Sequence, residues 1–297
     1  LTLIKLYNLF LKYYFISIRK KKLKINLLKI IALEFLNPKT FKNLILKKNF
    51  EDIIFGKNIK KIFFTYEGFA WERFLCEIVK KNNKSTEVVG YQFAILIKNQ
   101  NSIFSKIQNK YIPDKILTSG PVNYKILKKK FSNISIIGSA RFVKIKKKIS
   151  NSKETCLVLP EGIDSECDIL LDFVNSMATK IPKIKFVFRF HPSTNILKMK
   201  KQLKKVSIDQ KFNNVGISTK SLLYDLSRST MCLYRGSTSA IAAAQSGLMP
   251  IYYDFESKLN IDPMFQIDKS YRYVKNFNEF KNLVKMSKKK KKFILKK

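Results

Sequence analysis

The stretch MCLYRGSTSAIAAAQSGLMPIYYD, from Met231 to Asp254, decides how the chain is read. Met231–Tyr234 is a short apolar run that reads as a strand. It enters a Gly-Ser-Thr-Ser turn, which opens a helix of small residues over Thr238–Gln245. Pro250–Tyr253 is again strand-like. A strand, a helix and a strand in so few residues form one βαβ unit, which implies a parallel sheet. The same rhythm continues outward. Toward the N-terminus lie a helix at Ser221–Arg228, a strand at Asn214–Ile217 and a helix near Ile196–Val206. Before them come a strand at Lys185–Phe190, a helix at Asp164–Ala178 and a strand at Thr155–Leu159. Toward the C-terminus, a helix at Phe280–Met286 precedes a terminal lysine run.

A second series of alternating elements occupies the first half of the chain. Strands are expected at Lys61–Thr65, Glu87–Tyr91, Lys115–Thr118 and Ile134–Ile137, with a helix at Ala70–Lys81. The first fifty residues read as helical from apolar positions three and four apart. Lys144–Glu154 is basic and poor in large apolar residues, as an interdomain linker would be. The expected fold is therefore α/β, with two Rossmann-like domains facing a cleft. Residues 1–146 form the N-terminal domain and residues 147–297 the C-terminal one with its basic tail. Position 1 is Leu rather than Met, so an alternative start codon or a missing N-terminal piece stays open.

Composition narrows the classes. With 45% hydrophobic residues, 9 Gly and 8 Pro in 297 residues, the chain is neither disordered nor collagenous. Lys+Arg 59 against Asp+Glu 21 gives a net charge of +38. Only seven of the 59 are Arg, and the 52 Lys accompany an excess of Ile, Asn and Phe, as A/T-rich coding would produce. The charge thus sets a mild expectation of acidic partners and no more. The four Cys lie far apart without a CxxC, which suits a reducing compartment. A single His, His191, removes multi-His metal schemes. No Asp-x-Asp, Walker loop or GxGxxG occurs, so neither metal nor nicotinamide cofactor is expected. No apolar run approaches the ~18 residues of a membrane span, and Leu1–Ile18, which carries Lys5 and Lys12, makes a poor signal peptide.

In doubly wound sheets, ligands sit beyond the carboxyl ends of the strands, and four strand-end segments carry candidate chemistry. Glu67 and Gly68 follow the first strand, with Trp71 and Glu72 next on the acceptor side. Glu67 either takes a proton from an acceptor hydroxyl or caps the following helix. His191 and Pro192, beside Arg189, end the Lys185–Phe190 strand; Pro192 stops the strand there and sets the imidazole to donate to a phosphate or hydroxyl. Arg235, Gly236, Ser237, Thr238 and Ser239 open the small-residue helix and offer backbone N–H groups and three hydroxyls to a phosphate; alternatively Ser237 is a simple N-cap. Glu161 and Gly162 form a fourth strand-to-helix loop, a further nucleotide contact or merely the acidic start of a helix.

In order, TYEGFAWER, VVGYQFAI, PDKILTSGPVN, FRFHPS and LYRGSTSAIAAAQSGLMPIYYD resemble bacterial glycosyltransferases of the GT-B architecture that build surface polysaccharide. The layout is similar to sialyltransferases and polysialyltransferases. That resemblance implies Glu67 as general base, His191–Pro192 as a donor-binding HP motif, and Ser237–Ser239 as phosphate-binding serines. It also implies an inverting, metal-independent transfer from a nucleotide sugar, CMP-activated by preference, to a glycan or lipid-linked acceptor. Tyr66 replaces the first acidic residue of the family's acidic pair, and Thr238 interrupts its adjacent serines. Alternatives are a CDP-glycerol-type glycerophosphotransferase and a nucleotide-sugar epimerase. A non-catalytic reading is a basic protein binding a membrane or nucleic acid through Lys144–Lys148 and Lys288–Lys292, although Lys without Arg is a poor reader of bases. A cytoplasmic enzyme, peripheral on the anionic inner face of the plasma membrane and binding no nucleic acid, is expected.

Overall fold

A computed structural model describes residues 2–19, 24–83, 85–98, 102–105, 107–140, 154–199, 201, 213–256, 258–267 and 272–289. The chain divides into two compact units, Leu1–Ala94 with Asn101–Ser139, and Ile95–Gln100 with Ala140–Lys297. The 146/147 boundary and all of the expected linker except Glu154 lie outside the described residues.

The first unit opens with three helices, α1 (Thr2–Arg19), α2 (Lys24–Glu34) and α3 (Pro38–Ile54). Asn37 caps α3 by accepting the Lys39 N–H, with Pro38 preset at the first helical position. Then come β1 (Lys61–Thr65), α4 (Ala70–Asn82), β2 (Glu87–Gln92), β3 (Lys115–Thr118), α5 (Pro121–Leu127) and β4 (Ile134–Ile136). The four strands are parallel and stand in chain order, β1-β2-β3-β4. Helix α4 buries Leu75, Cys76, Ile78 and Val79 in a cluster with Ile54 and Val88.

The second unit contains β5 (Thr155–Leu159), α6 (Asp164–Ala178), β6 (Lys185–Phe188), β7 (Val215–Ile217), α7 (Leu222–Arg228), β8 (Met231–Tyr234), α8 (Ser239–Gln245), β9 (Met249–Tyr253), β10 (Tyr273–Val274) and α9 (Phe277–Lys289). Its six parallel strands run β10-β9-β8-β5-β6-β7. The chain starts in the middle, winds out through β6 and β7, then returns past β5 to wind the other way from β8. That is the doubly wound order, with its reversal between β5 and β8.

Both faces of this sheet are covered, so its strands are almost continuously apolar. Alternation along β5 sends Cys156 and Val158 into a core with Leu170 and Val174 of α6 and Phe280 of α9. Leu157 and Leu159 enter the opposite core with Leu226 of α7 and Ala240, Ala243 and Ala244 of α8. The alanine run lets α8 lie close to the sheet.

Four expected strands and the helix at Asp164–Ala178 have the bounds read from sequence. Strand β6 stops at Phe188, two residues early, and α9 is longer at both ends. Helix α5 and strand β10 were not expected. Residues 196–199 begin the helix expected at Ile196–Val206, most of which lies outside the described residues. No helix among the described residues is long and apolar enough to cross a membrane.

Candidate functional site

In the second unit, β6, β5 and β8 are neighbours, and the loops after them meet beside the strand-order reversal. The loop after β5 carries Glu161 and Gly162. A Cβ on Gly162 would strike the Ser193 Oγ and come 2.8 Å from the His191 Nδ1. A Cβ on Gly236, after β8, would strike the Glu161 carboxylate and come 2.8 Å from the Ile261 Cδ1. At these two glycines three loops close on one another, and a side chain at either would displace the Ser193, His191 or Glu161 side chain that now lies against it.

The imidazole is held in one orientation. The Ser193 N–H donates to His191 Nδ1 at 3.2 Å, and the Ser193 Oγ lies 2.7 Å from the same nitrogen. The Ser193 hydroxyl also reaches the Gly162 carbonyl at 3.3 Å. Ser193 thus engages Nδ1 through both its backbone and its hydroxyl, which fixes the plane of the ring. His191 and Pro192 are exposed at the loop junction.

Burial raises the Glu161 carboxyl above the usual glutamate range and Glu166 adds to it, while His191 and Arg235 pull the other way. Ser237 and Thr238 precede α8, and their carbonyls accept the Ala240 and Ile241 N–H groups at 3.2 and 3.1 Å. The cap position is Thr238, whose hydroxyl makes no capping bond. The reading of Ser237 as a simple N-cap therefore gives way. Thr238 is exposed, and Ser237 and Ser239 are half-buried beside it.

The arginines do something other than what their strand-end positions suggest. Arg235 is fully buried. Its Nε donates to Glu166 at 2.6 Å, Nη1 to the Tyr253 carbonyl at 2.9 Å and Nη2 to the Leu259 carbonyl at 3.2 Å. It holds the loop after β9 against Gly236 and does not face a ligand, because every arm of its fork is engaged inward. Arg189 pairs with Asp225 at 3.0 Å and binds the Lys220 carbonyl at 2.5 Å, tying the end of β6 to the start of α7.

Arg272, which the sequence did not single out, is fully buried with Asp262 at 2.8 Å. It also donates to the Met264 and Ile267 carbonyls at 2.7 and 3.0 Å. The Asp262 carboxylate further accepts the hydroxyls of Tyr234 and Tyr273 at 3.0 and 2.9 Å. The loop after β9, which borders Gly236 through Ile261, is therefore fixed by two buried guanidinium groups.

In the first unit, Glu67 and Gly68 follow β1. Glu67 is 6% exposed. Its carboxylate accepts the Ala94 N–H at 3.1 Å and the Gln92 side-chain amide at 3.3 Å. Gln92 in turn accepts from Asn123 at 2.7 Å. The capping alternative for Glu67 falls to its neighbour: one Glu72 oxygen accepts the N–H groups of Glu67, Gly68 and Phe69 at 2.9, 2.7 and 2.8 Å. Glu72 is thus a buried brace for the turn rather than an acceptor-side group. Gly68 is required there, with φ +85° and Ile103 backbone atoms 2.7 Å from any Cβ. Trp71 packs on Phe50 and Phe64, with ring centroids 6.4 and 6.2 Å away, and serves the packing of α3 and α4 on β1. The polar partners Gln92 and Asn123 went unread because each is a lone amide with no spacing signal; the end of β2 was the place to look.

No protein-family model and no curated protein matches the chain. Solved structures do. The UDP-GlcNAc 2-epimerase from Methanocaldococcus jannaschii superposes with a TM-score of 0.51 at 11% identity, covering 82% of this chain and 74% of that one. The lipopolysaccharide outer core galactosyltransferase WaaB gives 0.49 at 11% identity, over 84% and 71%. The pneumococcal O-GlcNAc transferase GtfA, solved with UDP and GlcNAc, gives 0.48 at 12%, over 84% and 52%. The chain spans about half the length of GtfA. With the two sheets described above, the epimerase likeness establishes the fold as a pair of Rossmann-like units of the GT-B kind.

Proposed function

We propose that the protein is an inverting glycosyltransferase that takes a sugar from a nucleotide donor and passes it to a glycan or lipid-linked acceptor. One observation carries this reading. Three loops meet at the strand-order reversal of the second unit, closed by Gly162 and Gly236, with the His191 ring exposed at their junction. In the proposed mechanism the donor phosphate sits against His191 and the hydroxyls of Ser237, Thr238 and Ser239. As the glycosidic bond breaks, negative charge grows on the leaving phosphate, and donors held in place beforehand stabilise it most in the transition state. His191 and the hydroxyls supply that stabilisation without a metal, so turnover should survive a chelator. Pro192 fixes the His191 turn. Glu67 is assigned the acceptor proton, and the Ala94 and Gln92 donors hold its carboxylate in one orientation. Arg235, Arg189, Glu72 and Trp71 support the fold around these groups.

The HP and serine pattern favours a cytidine donor, and an acceptor on the inner face of the plasma membrane fits the polysaccharide reading. The epimerase of similar fold is one for UDP-GlcNAc, so the donor base is the first thing to measure. Titration calorimetry with CMP, CDP, UDP and GDP should show selective cytidine binding that His191→Ala and Ser237→Ala weaken. Equal affinity for all four would end the cytidine assignment, and binding to none would end the nucleotide-sugar reading. A transfer assay with Glu67→Gln should lose turnover while keeping nucleotide affinity.

The likeness to the epimerase fold favours a second reading, rearrangement of the donor sugar without an acceptor. The product formed from a labelled donor in the absence of acceptor separates the two.

A further inference from the structure

We propose that α1 docks the protein on an anionic membrane surface, lying along it rather than crossing it. Helix α1 has two apolar faces and needs only one to fold. Leu6 is buried, Phe10 half-buried, and Tyr13 stacks on Phe35 at 5.7 Å, so these residues at three and four spacing pack α1 within the first unit beside α2. A second stripe at the same spacing points outward: Ile4 is 65% exposed, Tyr7 54%, Tyr14 40% and Phe15 56%. Lys5 and Lys12 are exposed along one flank of that stripe. Helix α2 adds exposed Ile30 and Leu33.

Charge selects the occupant. The first 33 residues hold eight Lys or Arg and not one Asp or Glu. A second copy would bring like charges together along this face, at a cost, whereas anionic headgroups would neutralise them. An apolar stripe with interfacial tyrosines and basic flanks matches helices that sit at the headgroup boundary. No described helix is long and apolar enough to span. This contact is independent of the transfer chemistry proposed above, and its residues are not those of the lysine runs at positions 144–148 and 288–292 of the sequence.

Flotation of the full chain with vesicles tests it. The protein should float with equal parts phosphatidylglycerol and phosphatidylcholine, and not with phosphatidylcholine alone. The pair Tyr7→Asp and Phe15→Asp should weaken binding about tenfold or more, since two apolar anchors go and two like charges arrive. The pair Lys5→Gln and Lys12→Gln should weaken it about fivefold per lysine with no change in thermal midpoint, which keeps the test open if the aspartates disturb folding. Binding unchanged in both variants would assign the membrane contact to the lysine runs and overturn the proposal. So would a wild-type chain that stays with the pellet, or a dimer in sedimentation that Tyr7→Asp converts to monomer.

Discussion

The two sheets are both parallel and both flanked by helices, yet they leave different openings. In the first unit the strands stand in chain order, β1-β2-β3-β4, and each connection winds the same way. Polar residues after β1, at the end of β2 and in α5 turn toward one another: Glu67, Gln92 and Asn123 form one buried chain. In the second unit the winding reverses between β5 and β8, and the loops after β6, β5 and β8 meet beside that reversal. There the polar group at the junction, His191, is exposed. The same strand-end position thus carries a buried, hydrogen-bonded carboxylate in one topology and an exposed imidazole in the other.

That contrast can be broken from either side. The largest effect should come from Asp262→Ala, which leaves the buried Arg272 without its carboxylate. Orphaning a buried charge costs about 3–5 kcal/mol, and the loss should appear in hydrogen exchange of the second unit while the first is unaffected. If both units lose protection together, the two sheets are not separate cooperative bodies. Next is Gly236→Ala, whose methyl would meet the Glu161 carboxylate and Ile261. The methyl displaces side-chain ends rather than backbone, so stability should change little while nucleotide affinity falls; unchanged affinity would show that the loop junction is not the binding site. Glu72→Ala should cost about 1–3 kcal/mol by stranding three N–H groups, lowering the urea midpoint of the first unit while leaving nucleotide binding intact.

The smallest effect is a slope. Burial raises the Glu161 carboxyl, so the folded state holds that proton more tightly than the unfolded chain does. Between the ordinary glutamate value, about 4.3, and the raised one, folding takes up a proton and stability falls as pH rises. Glu161→Gln should flatten that fall in urea midpoints measured across the window. A wild-type slope that survives in the variant would assign the effect to another carboxyl.

Most of the fold could be read in advance because both faces of the second sheet are covered. Runs such as Cys156–Leu159 and Met231–Tyr234 are apolar throughout and bounded by turn residues. Helix α5 carried a signal that went unused, Gly120 followed by Pro121 at the first helical position. Strand β10 is two residues long and has no period to detect. The glycines and His191 at the strand ends were legible because turns and a strand-stopping proline mark them. The roles of Arg235 and Glu72 were not. A cation after a strand looks like a phosphate ligand until its partner, Glu166 in the first turn of α6, is known to lie beneath it. Glu72 braces the turn Glu67–Phe69, and at the cap position Phe69 no hydroxyl announces a capping pair.

The two buried arginines bear on how such a lysine-rich chain keeps its shape. Of the 59 basic residues only seven are arginine, and two of those seven lie under the loop after β9. Between them they hold four carbonyls and two carboxylates. A guanidinium spreads its donors in a plane and stays charged when dry, whereas an ammonium is a single strongly hydrated point. On exposed helices, drift from arginine to lysine changes little. At Arg235 and Arg272 the same one-residue exchange would unpin a whole loop, which makes these two positions the places where compositional drift must stop.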